Sequence, residues 1–175
     1  MMKNLILIAL FTSSVAFSQV PSLELTPKGI EPAIINTNML TASKLYEKTI
    51  SWLEKNYENP DDVIVANLEN KELTIKAVEP KVWTPNRIGT DTNYDMEYTL
   101  KIEFKDSRYK IVYELGNFEK DGVQLSTSYK DLFKKFDGSI KYNYDGAVAG
   151  IEKKFNEKTL SLYNFSMGIS NGEDW

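Results

Sequence analysis

The side chains available for chemistry in this chain are carboxylates, lysines and aromatic rings, because histidine and cysteine are both absent. Without histidine there is no Ser-His-Asp or Cys-His relay and no imidazole zinc site, and without cysteine there is no thiol chemistry. No G-x-x-x-x-G-K-[ST] or G-x-G-x-x-G stretch offers backbone amides to a phosphate or dinucleotide. A pair of carboxylates could still act as general acid and base. The conspicuous ones, Glu97, Glu103 and Glu114, alternate with lysines in the manner of a solvated strand face. Surface pairs of that kind contribute about 0–1 kcal/mol and imply no catalysis. The chain therefore reads as a non-enzyme, with no catalytic residue, no metal ligand and no cofactor assigned.

Asp91-x-Asn93-x-Asp95 repeats the first three ligand positions of an EF-hand. The loop glycine is replaced by Met96, and the bidentate glutamate by Ile102. Asp and Asn at a loop-to-strand junction are also ordinary turn residues.

The aromatic residues suggest two kinds of binding. Tyr46 and Trp52 lie on one face of the amphipathic stretch KLYEKTISWLEKNY (44–57), and Tyr98 and Tyr113 point inward from alternating strands. Together they could line a cavity between helix and sheet for a small apolar or lipid ligand. The same four could equally fill a core, and the close packing of natural interiors favours that. Trp83, in a Pro- and Gly-containing loop (80–92), is either an exposed contact for a protein partner or a ring packed over a sheet edge. Trp175, in the tail NGEDW, is a second candidate for either role.

These residues need elements to position them. PAIINTNML (32–40) reads as a short strand, and Thr41 or Ser43 can cap the helix that follows. Asn59-Pro60 ends that helix. VIVANL and ELTIKAV form a hairpin across Glu69-Asn70-Lys71. From Tyr94 to Lys105 and again from Arg108 to Leu115, apolar residues recur at every second position, giving one apolar and one largely charged face. Beyond that, Leu125, Tyr129, Leu132, Phe133 and Phe136 carry a helical period, with Ser128-x-x-Asp131 as a capping pair. Val148, Ile151, Phe155, Leu162 and Phe165 mark a last helix beginning near Asp145, its start weakened by Gly146 and Gly150. The expected fold is α+β in two layers: an antiparallel sheet of about five strands in the order β-α-β-β-β-β-α(α), with the helices packed on one face.

The first residues read as an address. Lys3 precedes an apolar run from Leu5 to Phe11, and Ala16-Phe17-Ser18 offers small residues to a signal peptidase, with cleavage before Gln19. Thr12, Ser13 and Ser14 interrupt a run already shorter than the roughly 20 residues of a bilayer span. With no cysteine, a lipid-modified cysteine after the signal is impossible. The expectation is a soluble, exported protein of the periplasm or exterior that is not a lipoprotein and has no transmembrane segment. Its organisation would be signal peptide 1–18, surface leader 19–29, sheet-and-helix core 30–117, C-terminal helices 118–168 and a loose tail 169–175.

LYEKTISWLEKNY, DDVIVANLENKELTIKA and YTLKIEFKDSRYKIVYE, following a signal peptide and joined by the ending Glu173-Asp174-Trp175, resemble a family of secreted bacterial proteins of unknown function. The resemblance covers residues 30–117 and implies a TATA-binding-protein-like, helix-grip fold. The family assigns no catalytic residues. Its fold name suggests DNA, but a DNA saddle needs a basic sheet face with apolar wedges. Here the open face offers Glu97, Thr99, Lys101, Glu103, Lys105, Arg108, Lys110 and Glu114, and the whole chain carries a net charge of −4. No nucleic-acid partner is expected. The function expected is a non-catalytic envelope binding or interaction module whose partner is another envelope protein, with carriage of a small apolar ligand as the alternative.

Overall fold

The computed structural model describes residues 20–85, 92–144 and 146–169. In chain order the elements are β1 (Leu25–Thr26), β2 (Gly29–Ile30), β3 (Ala33–Asn36), α1 (Ala42–Asn56), α2 (Pro60–Val63), β4 (Ile64–Leu68), β5 (Glu72–Trp83), β6 (Tyr94–Lys105), β7 (Arg108–Lys120), β8 (Val123–Ser128) and α3 (Ala147–Met167). Single 3-10 turns at Tyr129–Leu132 and Tyr142–Tyr144 lie between β8 and α3.

Strict alternation fixes the centre of the sheet. In β6 the side chains of Met96, Tyr98, Leu100, Ile102 and Phe104 are buried, and those between them face outward. β7 pairs with β6 so that Tyr109, Ile111 and Tyr113 lie opposite Phe104, Ile102 and Leu100. A slip of one residue would turn both apolar sets into water, so the register is strongly specified. The antiparallel order is β3-β7-β6-β5-β4. β7 carries two partners on its outer edge: β3 against Arg108–Ile111, and β8 against Asn117–Lys120. The main sheet thus has six strands, one more than the alternation suggests.

Both long helices cover the apolar face. Thr41 caps α1 by accepting from the Lys44 amide at 3.2 Å, and Asp106, in the β6–β7 turn, accepts from the Ala42 amide at 2.9 Å. One side chain of the sheet thus helps to start the helix that covers it. On α3, Ala147, Val148, Ile151, Phe155, Thr159, Leu162 and Ser166 face inward at the expected helical spacing, while Phe165 is only half-buried. Gly150 is what lets α3 approach the sheet, since a Cβ there would lie 2.1 Å from the Val82 carbonyl oxygen.

Two segments differ from the sequence expectation. Residues 20–30 are part of the core: Leu23, Leu25 and Ile30 are buried, and α3 holds the segment through its side chains. The Leu23 amide donates to Asn156 Oδ1 at 2.8 Å, Asn156 Nδ2 returns a bond to the Leu23 carbonyl at 2.9 Å, and the Leu25 amide donates to Glu152. Residues 123–136 are not a helix but β8 followed by a 3-10 turn. Asp121 and Gly122 both have positive φ, 52° and 75°, and form the two-residue turn that folds β8 back onto β7. The Ser128–Asp131 pair does form, with Asp131 accepting from the Ser128 amide at 2.8 Å, but it caps the 3-10 turn. Hydrogen bonding to Ser128, its amide first, holds the Asp131 carboxyl below the usual aspartate range.

Candidate functional site

Three elements converge between α1, α3 and the middle of the sheet. β5 places Glu79 in phase with the inward residues Leu73, Ile75 and Ala77, so its carboxylate enters the apolar layer. α3 brings Lys158 alongside, and its ammonium lies 2.9 Å from Glu79 Oε2. Above this pair stand Trp52 of α1, Tyr57 at the C-cap of that helix and Tyr98 of β6. Lys158 Nζ is 5.9 Å from the Trp52 ring centre and 5.5 Å from those of Tyr57 and Tyr98. A cation over several ring faces is attracted by their quadrupoles, more strongly once water is removed. The cluster is therefore an aromatic cage filled by the protein's own lysine and neutralised by its own carboxylate.

Hydrogen bonds close the rest of the cage. The Tyr57 and Tyr98 hydroxyls share a bond of 2.5 Å, and Trp52 Nε1 donates to Ser161 Oγ at 3.1 Å, tying α1 to α3. Tyr113 and Thr159 share a bond of 3.1 Å, and Phe155 fills the space between Tyr98 and Tyr113 at ring separations of 5.2 and 4.8 Å. Burial drives the hydroxyl pKa of Tyr98 far above the ordinary tyrosine value, with the neighbouring Tyr57 adding to it. Burial raises that of Tyr113 as well, against the opposing bond from Thr159. The phenols are thus held neutral, and both charges are directed at each other.

The residues singled out by sequence fall into three places. Trp52, Tyr98 and Tyr113 are brought together in this cluster as packed core side chains. Tyr46 stands apart: its hydroxyl exchanges hydrogen bonds with Asn67 of β4 at 3.0 and 2.9 Å, and its ring meets Phe104 edge-on. Trp83 is not an exposed contact but is 7% exposed, stacked on Tyr94 at 4.9 Å and flanked by Phe118 and Tyr144. β5 continues past Pro80 as far as Trp83, so the residue belongs to the sheet rather than to a loop. Trp175 lies outside the described residues, as does Asp91 of the calcium-like triplet. Asp95 accepts from the Lys81 amide at 2.8 Å and Asn93 from the Thr84 hydroxyl at 2.7 Å, so both secure the end of β5.

Sequence reasoning missed Glu79, Lys158 and Thr159. The signal was present for Glu79, since a carboxylate in phase with Leu73 and Ile75 requires an internal cation.

The outer face of the sheet is charged and internally paired. Lys101 bridges Glu72 at 2.8 Å and Glu103 at 3.8 Å, Lys110 reaches Glu103 at 3.4 Å, and Lys76 pairs with Glu97 at 2.5 Å. Exposed apolar side chains are scattered, among them Met39 before α1, and the segment between β8 and α3 carries two bare aromatics. Its Phe136 is 100% exposed and its Tyr142 92% exposed. Among the described residues, no helix is long and apolar enough to cross a membrane.

Residues 33–120 match the family described as a domain of unknown function, DUF4468, with a TBP-like fold. Among solved structures, a DUF4468 family protein from Bacteroides ovatus is similar at a TM-score of 0.57 and 10% identity, covering 88% of this chain and 93% of that one. A TBP-like protein from Parabacteroides distasonis is similar at a TM-score of 0.54 and 13% identity, covering 80% of this chain and 93% of the other. At these identities the likeness concerns the fold alone. No curated protein matches the chain. With half its length matched, including α1 and the central strands of the sheet, the chain belongs to the DUF4468 family of TBP-like fold.

Proposed function

We propose that this protein is an exported, non-catalytic interaction module of the bacterial cell envelope that works through its surface rather than its interior. The observation that carries this reading is the Glu79–Lys158 pair. The one internal acid–base pair of the helix–sheet interface among the described residues is closed on itself at 2.9 Å, under Trp52, Tyr57 and Tyr98. A substrate reaching it would have to separate two mutually neutralised, largely buried charges in a ring-lined space, and separating such a pair is costly. Carriage of an apolar ligand receives no support from the same geometry, because Tyr98 and Tyr113 pack on each other and on Phe155, Trp52 packs on Tyr57, and Tyr46 lies elsewhere. Export rests on the residue pattern of the first 18 positions.

The test is fractionation of a Gram-negative host making the chain with a C-terminal tag. The reading predicts a polypeptide beginning at Gln19 in the periplasm, the envelope fraction or the medium. An uncut chain held in the cytoplasm contradicts it.

A further inference from the structure

Between the two 3-10 turns the chain forms a small, well-secured hairpin. Phe133 bridges Ile140, the Lys134 amide donates to the Ser139 carbonyl at 2.7 Å, and the Lys141 amide donates to the Leu132 carbonyl at 2.8 Å. Asp137 accepts from both the amide and the hydroxyl of Ser139, at 3.0 and 2.7 Å, and Gly138 turns the chain with φ of 70°. The root of the hairpin is core, with Leu132 and Phe133 both buried. Its tip is the opposite. Phe136 is 100% exposed with no covering neighbour among the described residues, and Tyr142 at the hairpin's exit is nearly as bare. A single exposed apolar side chain is ordinary on a protein surface, but here Phe136 stands at the tip of a hydrogen-bonded hairpin beside a second bare aromatic and a group of lysines.

The charges around the tip are of one predominant sign. Residues 130–142 contain four lysines, Lys130, Lys134, Lys135 and Lys141, against two aspartates, in a chain whose net charge is −4. Both aspartates are engaged with serines, Asp131 with Ser128 and Asp137 with Ser139. None of the four lysines forms an ion pair within 4.0 Å among the described residues. Across a Debye length of about 8 Å at physiological salt, a surface meeting the tip would sense four lysines against two ionised aspartates, a local net charge of 4 − 2 = +2, more than the −4 of the whole chain.

We propose that this loop docks the protein on an anionic lipid surface, with Phe136 entering the acyl boundary, Tyr142 at the headgroup level and the lysines against the phosphates. The inference rests on the surface-binding reading above and names its partner. Aromatic side chains with one polar end favour the membrane interface, and lysines beside them add attraction to anionic headgroups. A protein partner fits the loop less well. A stable protein interface buries roughly 800 Å² on each side, whereas two aromatics of about 150–250 Å² each supply well under that. A lipid surface needs no matching pocket for Phe136.

The test uses the chain from Gln19 onward, which contains every element described above. Flotation with vesicles of phosphatidylglycerol and phosphatidylethanolamine is compared with flotation on phosphatidylcholine alone. The expected result is binding to the anionic vesicles that weakens with salt. It falls at least about tenfold in Phe136→Ser and in the pair Lys134→Glu with Lys135→Glu, with unchanged melting. In Phe136→Trp, emission should shift to the blue and be quenched by brominated lipid. Absence of binding to the anionic vesicles overturns the proposal, as does binding that these variants leave intact, or capture of an acidic protein by the loop without any vesicle binding. Failure on vesicles with correct export leaves the surface-module reading standing, whereas a small molecule retained inside the chain defeats that reading whatever the vesicles show.

Discussion

Lys158 of α3 and Glu79 of β5 meet at 2.9 Å inside the aromatic layer, with side-chain exposures of 16% and 10%. Each is the other's compensation for losing water. Removing one leaves an uncompensated charge among Trp52, Tyr57 and Tyr98. Glu79→Gln or Lys158→Met is therefore expected to lower stability by about 3–5 kcal/mol, read as a shift of the urea midpoint. The double change Glu79→Leu with Lys158→Met should recover most of that loss. If the double variant is as unstable as the singles combined, the two groups do not act as a pair.

Alkaline pH should unfold the protein in a way set by its buried phenols. Tyr98, Tyr109 and Tyr113 all have hydroxyls raised above the ordinary value of 10.0, burial being the largest cause in each. A raised folded-state pKa means the unfolded chain releases its protons first. The stabilisation is thus complete below pH 10 and declines as pH rises beyond it, towards the folded pKa values. Absorbance of tyrosinate near 295 nm should rise for these residues together with loss of circular dichroism. Ionisation of all ten tyrosines near pH 10 with the fold intact would count against their burial.

Gly150→Ala tests the close approach of α3. In an exposed helix the exchange would help by about 1 kcal/mol. Here the new methyl would sit 2.1 Å from the Val82 carbonyl oxygen, so backbone must move. A net destabilisation of about 1–3 kcal/mol is expected from overpacking. A variant that melts higher than wild type would mean that α3 stands further from β5.

Trp52→Ala and Phe136→Ser should behave oppositely. Trp52 is fully buried and bonded to Ser161, so its truncation should cost about 3–5 kcal/mol. Phe136 has no packing to lose, and its change should stay within about 0.5 kcal/mol. Thermal melts of the two variants side by side give the comparison.

The parts of the fold legible in the sequence are those with unmixed periods. β6 and β7 follow period two along most of their length, and α1 follows 3.6 residues per turn from Leu45 to Leu53. Leu125 to Phe136 misled because their 4-3-1-3 spacing imitates a helix. What overrode it was the free outer edge of β7 beyond Ile111 and the Asp121-Gly122 turn, a hairpin dipeptide that the sequence displays openly. The leader was obscure for another reason. Leu23, Leu25 and Ile30 are too few and too widely spaced for a period, and only the partners Glu152 and Asn156, more than a hundred residues away, reveal their burial. Within the site, the aromatic members could be read from strand and helix phase. Lys158 could not, because it flanks the inward stripe of α3 rather than lying on it.

The central claim is that the helix–sheet interior is filled by the protein's own side chains and that binding happens outside. Native mass spectrometry of the chain from Gln19, purified without detergent, tests it most directly. The account predicts a bare polypeptide mass under gentle ionisation. A small molecule that remains bound, and that is lost on changing Trp52 or Tyr98, would contradict it.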